Sequence, residues 1–294
     1  GEEIIETNPD QSLLTSEYGR RAVAFIEAHH DQPFFVYLPH SMPHVPIFAS
    51  EAFRGRTKRG LFGDVIEEID DTVGRILDAL ERHGLDEYTL VIFTSDNGPW
   101  LSYGDHAGSA APLREGKGTS FDGGVGVPFV ARWPAQIPAG AVVREPAMTI
   151  DLLPTIAALA GAPLPALTID GKDIRSLLLA EKGAVSPHEA LFFYWGRHLQ
   201  SVRSGRRKLH FPHPYPSLDG PAGSGGMPSR YIQRSIELAL FDLEADRSES
   251  PNVAAHHPDV VERLEVLAIQ ARAVRGDSAT EQEGSGLRDP GRVP

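Results

Sequence analysis

Asp96 and Asn97 stand side by side in Ser95-Asp96-Asn97-Gly98-Pro99, directly after the apolar run Leu90-Val91-Ile92-Phe93-Thr94. A carboxylate and an amide oxygen at a strand end can both reach one hard cation, but calcium takes roughly six to eight oxygens, so the pair is part of a shell. The same five residues are good turn formers, and a tight turn without metal is the competing reading. Lys117 lies between Gly116 and Gly118, and flanking glycines let both backbone and ammonium come close to an anion. A solvated loop lysine has the same local sequence. His44 follows Pro43 and precedes Pro46; a histidine held in so stiff a loop can donate to an oxyanion or a leaving group, or simply pack there.

Other combinations carry less. His40 and His44 have the spacing of a helical zinc pair, but the intervening prolines forbid the helix that gives the spacing its meaning. Asp70 and Asp71 are adjacent on a predicted helix, so they do not face each other and read as a solvated face. Gly118-Thr119-Ser120-Phe121-Asp122 lacks the second glycine of a nucleophile elbow, and Gly124-Val125-Gly126 lacks the third glycine of a dinucleotide turn. The chain has no cysteine, which excludes disulfides, thiolate zinc sites and cysteine nucleophiles within it.

The elements that must position these groups alternate. A helix is expected over residues 15–29, then a buried strand at Pro33-Phe34-Phe35-Val36-Tyr37-Leu38, and then a long ordered loop with prolines at 39, 43 and 46 that carries His44. Asp64 is placed to cap the next helix, with Glu67 completing a box. Val65, Ile69, Val73, Ile76, Leu77 and Leu80 form its apolar stripe. The strand over 90–94 delivers Asp96 and Asn97 at its carboxyl end, where ligands bind in open α/β sheets. A glycine-rich stretch over 103–126 holds Lys117 and leads to an apolar strand at 128–133 and a helix around 151–160. This alternation predicts a mostly parallel sheet covered by helices. Beyond residue 183 come short strand candidates at 191–195, 200–203, 208–211 and 238–243 and a helix over 258–274, a smaller α+β unit with a short antiparallel sheet. Residues 276–294 are polar and without apolar periodicity, and are expected to be a disordered tail.

Twenty-eight Lys and Arg against 40 Asp and Glu leave a net charge of −12 over 294 residues. That balance argues against nucleic acid as a partner, so an anionic substrate needs a local positive site. No window is apolar enough for a membrane span, and residue 1 is a glycine without a signal-like segment after it, which suggests a piece of a longer protein.

Three runs together carry a specific resemblance: Leu-Val-Ile-Phe-Thr-Ser-Asp-Asn-Gly-Pro at 90–99, Leu-Arg-Glu-Gly-Lys-Gly-Thr-Ser-Phe-Asp-Gly-Gly-Val at 113–125, and Pro-His-Val-Pro at 43–46. They closely resemble the sulfatase family of the arylsulfatase A type, with further similarity in order and spacing over roughly residues 15–265. The resemblance implies an alkaline-phosphatase-like α/β fold, incomplete in this chain, with catalytic-domain residues 1–185, a C-terminal subdomain over 186–275 and the tail from 276. It implies that Asp96 and Asn97 are calcium ligands, that Lys117 contacts the sulfate group, and that His44 lies near the sulfate and the leaving oxygen. The implied activity is hydrolysis of sulfate esters, on a sulfated small molecule or glycan. It would use Ca2+ and a formylglycine made from Cys or Ser in a Cys/Ser-x-Pro-Ser-Arg motif.

The chain departs from the family pattern in two ways. Gly126 stands where many relatives carry Arg, and no such formylglycine motif is present; Gly226-Met227-Pro228-Ser229-Arg230 resembles it with Gly in the modified position. The nucleophile and an Asp-Asp calcium pair are therefore expected upstream, and the chain alone is expected to be inactive. The alternatives are a non-catalytic binding remnant and a phosphate or phosphonate ester hydrolase on the same sheet. Export is common for sulfatases of this type, but compartment and oligomeric state are not assigned. Neither are roles for His106 or for the basic clusters at 54–59 and 203–208.

Overall fold

The computed structural model describes residues 3–289. Helix α1, Leu14–Ala28, buries Ala22 and Ile26 and crosses α2, Gly60–Arg82. The crossing is close because Gly19 has no side chain: a Cβ there would lie 2.6 Å from the Thr72 methyl. Of the predicted stripe of α2, Val65, Ile69 and Leu80 are buried and Val73, Ile76 and Leu77 half-buried, with Asp70 and Asp71 on the exposed side. Asp64 does not cap this helix. The helix starts about one turn earlier than predicted, which puts Asp64 inside it. There its buried carboxylate accepts hydrogen bonds from the backbone N–H groups of Gly55 (2.7 Å) and Thr57 (2.8 Å), fastening the preceding loop. Glu68, also buried, accepts from Ser50 N at 2.9 Å. The loop that carries His44 is thus ordered by polar bonds to α2 and by packing of Met42, Ile47 and Ala49 on Val65 and Ile69.

The predicted strand over 33–38 does not form. Phe34 packs on Ile26, Ala79 and Leu80, but Phe35 and Tyr37 are 66% and 79% exposed. A strand is made by its ladder bonds, and among the described residues no segment pairs with this one. The expected parallel pairing differs as well. β1, Val91–Thr94, pairs with β2, Phe129–Arg132, in antiparallel register from Val91 opposite Arg132 to Thr94 opposite Phe129. The class remains α/β, with a short α3, Asp122–Val125, just before β2. After it, a turn of 3-10 helix at 149–151 leads into α4, Leu152–Ala160, which ends on Gly161 in the left-handed conformation. A single helical turn, α5, spans Arg175–Leu178.

The C-terminal part builds the predicted antiparallel sheet from β3 (Leu191–Trp195), β4 (His198–Ser204), β5 (Arg207–His210) and β8 (Ala239–Asp242), in that spatial order. Helix α6, Pro258–Arg275, covers it, setting Leu264, Leu267 and Ala268 against Leu199, Val202, Leu209 and Leu240. An antiparallel pair not predicted from sequence, β6 (His213–Leu218) with β7 (Tyr231–Ile236), stands beside it. Its Pro214 and Pro216 hide the strand signal, because proline is tolerated only where no ladder donor is needed.

The expected disordered tail is ordered where it begins. Asp277 is fully buried and accepts from Leu199 N, Ala279 N and Arg272 Nε, and Ser285 and Gly286 bond back to α6. Residues 290–294 of that tail lie outside the described residues. No helix among the described residues is long and apolar enough to cross a membrane.

Candidate functional site

Strand β1 ends in the turn that presents Asp96 and Asn97. Asn97 turns its amide nitrogen onto Asp96 Oδ2 at 2.7 Å, and its backbone N–H donates to Asp96 Oδ1 at 3.0 Å. That leaves the Asn97 side-chain oxygen facing away from the carboxylate. The turn is bolted to the glycine stretch beyond it: Gly98 N donates to Gly124 O and Lys117 N to Pro99 O, both at 2.9 Å. These contacts require glycine. A Cβ on Gly98 would stand 1.8 Å from Gly123 O, and one on Gly116 would stand 2.4 Å from Pro99 O.

Because Lys117 is held at its own amide, its ammonium falls 5.3 Å from the centre of the Trp100 ring, within cation–π range. Two further rings meet that indole at steep angles, Tyr103 at 5.0 Å and His44 at 5.9 Å. His44 Nδ1 lies 2.7 Å from the Val45 carbonyl. A carbonyl can only accept, so Nδ1 carries the hydrogen and Nε2 is the nitrogen left to act. The structure therefore brings Lys117 and His44 together on one indole, three residues along the chain from Asn97. Sequence reasoning missed Trp100, since a single exposed tryptophan after a proline gives no local signal. Asn97 and Gly118 also line a cleft of about 310 Å³ whose far wall is the aromatic strand β3, Phe192 to Trp195.

As a metal centre, Asp96 and Asn97 offer hard oxygen donors of the kind calcium takes, but only two of them. Among the described residues no three His, Asp or Glu side chains are grouped closely enough to share an ion. The pair fits part of a calcium shell, with the remaining ligands to come from elsewhere.

Sequence reasoning also missed a buried ionic cluster behind the Lys117 loop. Lys208 and Glu249 are fully buried, and Lys208 Nζ lies 2.7 Å from Asp122 Oδ1 and 3.0 Å from Glu249 Oε1. His210, also fully buried, reaches the same Glu249 oxygen at 3.2 Å. Burial pushes His210 down to about 4, so it is uncharged at neutral pH. Burial works against the charge on Glu249 too, but the His210 bond and the Lys208 ammonium outweigh it and hold the carboxyl below its ordinary range. The basic cluster at 203–208 is accounted for by these pairings: Arg203 lies 3.7 Å from Asp122, and Arg206 and Arg207 both bind Asp242.

Residues 6–162 match the sulfatase family model, and residues 186–283 match the model of the C-terminal region of aryl-sulfatase. The chain belongs to the sulfatase family. It is 41% identical to human arylsulfatase A over 254 residues, 81% of this chain and 48% of that protein. Mouse steryl-sulfatase is 36% identical over 291 residues, 92% of this chain and 46% of that protein. The crystal structure of the PsFucS1 sulfatase from Pseudoalteromonas superposes with a TM-score of 0.82 at 26% identity, over 92% of this chain and 55% of that one. The chain spans about half the length of the curated relatives it matches.

Proposed function

We propose that this chain supplies the sulfate-holding and leaving-group side of a sulfate ester hydrolase. The observation that carries the reading is the placement of Lys117 and His44 on the one Trp100 ring, beside the Asp96-Asn97 turn. The Lys117 ammonium binds the sulfate oxygens and counters the charge that grows on them as the S–O bond breaks, which lowers the barrier more than it tightens ground-state binding. His44 Nε2 faces the departing oxygen and, when protonated, donates to the alkoxide. In the complete protein, calcium at Asp96 and Asn97 would polarise the sulfate oxygens, and formylglycine would supply the nucleophile. Family membership supports a sulfated small molecule or glycan as substrate. Residues 1–185 carry all four of these groups, and residues 186–275 form the unit packed behind them.

Two measurements test the reading. Titration of the chain with inorganic sulfate should show binding that Lys117→Ala weakens about tenfold or more, a loss of ~1.4 kcal/mol or more. Unchanged affinity would remove Lys117 from the site. With a chromogenic aryl sulfate, the 294-residue chain should release no phenol above buffer, whereas the complete matured protein should turn it over. In that protein Lys117→Ala should lower kcat by about two orders of magnitude, the scale of a lost oxyanion donor.

A further inference from the structure

The segment that carries Lys117 is gripped on both sides by the C-terminal unit. Three residues before the lysine, Arg114 donates to the Glu249 carbonyl at 2.7 Å and to the Tyr215 hydroxyl at 2.9 Å. Its neighbour Glu115 accepts from Ser217 Oγ at 2.8 Å. Three residues after the lysine, Ser120 Oγ donates to Gln200 Oε1 at 2.7 Å, with both residues buried. Next to it Phe121, fully buried, stacks on His210 at 4.6 Å. The grip closes at Asp122, whose backbone N–H donates to Glu249 Oε2 at 2.6 Å while its carboxylate takes the Lys208 ammonium. Glu249 and Glu115 both sit at positive φ, 49° and 56°. Non-glycine residues stay in that region only when surrounding bonds hold them there. Among the described residues Lys117 makes no side-chain hydrogen bond, so its position over Trp100 follows from where its backbone is held.

We infer that Glu249 and Lys208, both fully buried behind the Lys117 loop, are positioning residues that set the placement of the Lys117 ammonium through the 114–122 segment. The inference rests on the sulfate role of Lys117 proposed above. Glu249 is the hub, since its carboxylate alone binds the Asp122 amide, Lys208 and His210 together. Replacing it with an amide leaves the buried Lys208 with one carboxylate partner and sets an NH2 group against a donor, either the Lys208 ammonium or the Asp122 N–H. The loop should answer by moving rather than by leaving that charge unpaired.

Lysines carrying isotope-labelled dimethyl groups report this directly by NMR, because the Trp100 ring shifts the Lys117 signal in proportion to their contact; Lys117→Arg assigns that signal. The ring-induced shift should be lost in Glu249→Gln and reduced in Ser120→Ala, a milder variant that removes one tie and keeps the chain folded if the first does not. Sulfate affinity should fall about tenfold in Glu249→Gln. Leu264→Ala, in the core of the same unit but away from the grip, should lower the melting temperature yet leave the Lys117 signal where it was. A parental Lys117 signal in folded Glu249→Gln or in Ser120→Ala, or an equal displacement in Leu264→Ala, overturns the inference. The label reads loop geometry whether or not sulfate binds. Unchanged sulfate affinity in Lys117→Ala therefore overturns the functional reading alone.

Discussion

Trp100 shows how one side chain can organise two others. Its π-face receives the Lys117 ammonium and its ring takes the His44 edge, and being 37% exposed it earns only the modest cation–π energy of an open site, about 0.5–1 kcal/mol. Trp100→Leu should therefore keep the fold and weaken sulfate binding by roughly twofold to fivefold; equal affinity by titration would mean the ring is a bystander. His210 offers a second test at this scale. Its folded value, about 4, lies below the ordinary histidine value of 6.5. The unfolded chain therefore takes up the proton first as pH falls, and stability is lost between pH 6.5 and about 4 and flat above it, an order of 3 kcal/mol in full. The groups facing it are Glu249, Lys208, His213 and Phe121. His210→Gln, which can still donate to Glu249, should flatten that acid-side slope in urea midpoints measured across this range, and an unaltered slope would assign it to other groups. Lys117, His44, Asp96 and Asn97 could be singled out in the sequence because short runs of glycine, proline and polar residues mark them, while the roles proposed for them came from the family resemblance of those runs. Lys208, Glu249 and Asp122 were not, because they lie up to 127 residues apart and nothing local to a lysine says that it will be buried.

At the scale of elements, α1 and α2 were readable because one face of each is apolar at the helical period, and the C-terminal sheet because short runs such as Leu191–Trp195 and Leu238–Leu243 are apolar and bounded by turns. The failures share a different cause: they depend on what lies beside an element. Residues 33–38 have strand composition without a strand neighbour, β6 is a strand in spite of two prolines, and Asp64 has the sequence of a cap but the partners of a loop fastener. Asp151 is a further fastener. Fully buried, it accepts from Met148 N and Lys172 N and binds His188 Nε2, each at 2.7–2.8 Å. It thereby joins the start of α4 to the segment before α5, and beyond that to the approach to β3. Asp151→Ala strands three donors at once and should cost about 3 kcal/mol or more. Chemical denaturation reads this directly, and a loss below about 1 kcal/mol would show that water replaces the carboxylate freely.

Across the whole molecule, net charge and site charge oppose each other. A chain at −12 repels sulfate on average, so on the proposed reading binding depends on the few cations near the glycine loop, behind which the buried ion pairs lie. This cluster joins the two matched regions at Asp122, which belongs to the first and takes both the Lys208 ammonium and, through its amide, the Glu249 carboxylate of the second, where the Lys208–Glu249 and His210–Glu249 contacts lie. Separating the regions would expose or orphan these charges together, which makes independent unfolding of either costly. The chain should therefore unfold in one transition. Tryptophan fluorescence can follow each region separately, because Trp100 and Trp133 lie in the first and Trp195 in the second: Trp195→Phe reports one, and Trp100→Phe with Trp133→Phe reports the other. Thermal midpoints normalised to each variant's own calorimetric peak should coincide. Two resolved peaks in the parental chain would show that the regions are only neighbours, and Glu249→Gln should then leave both peaks where they were.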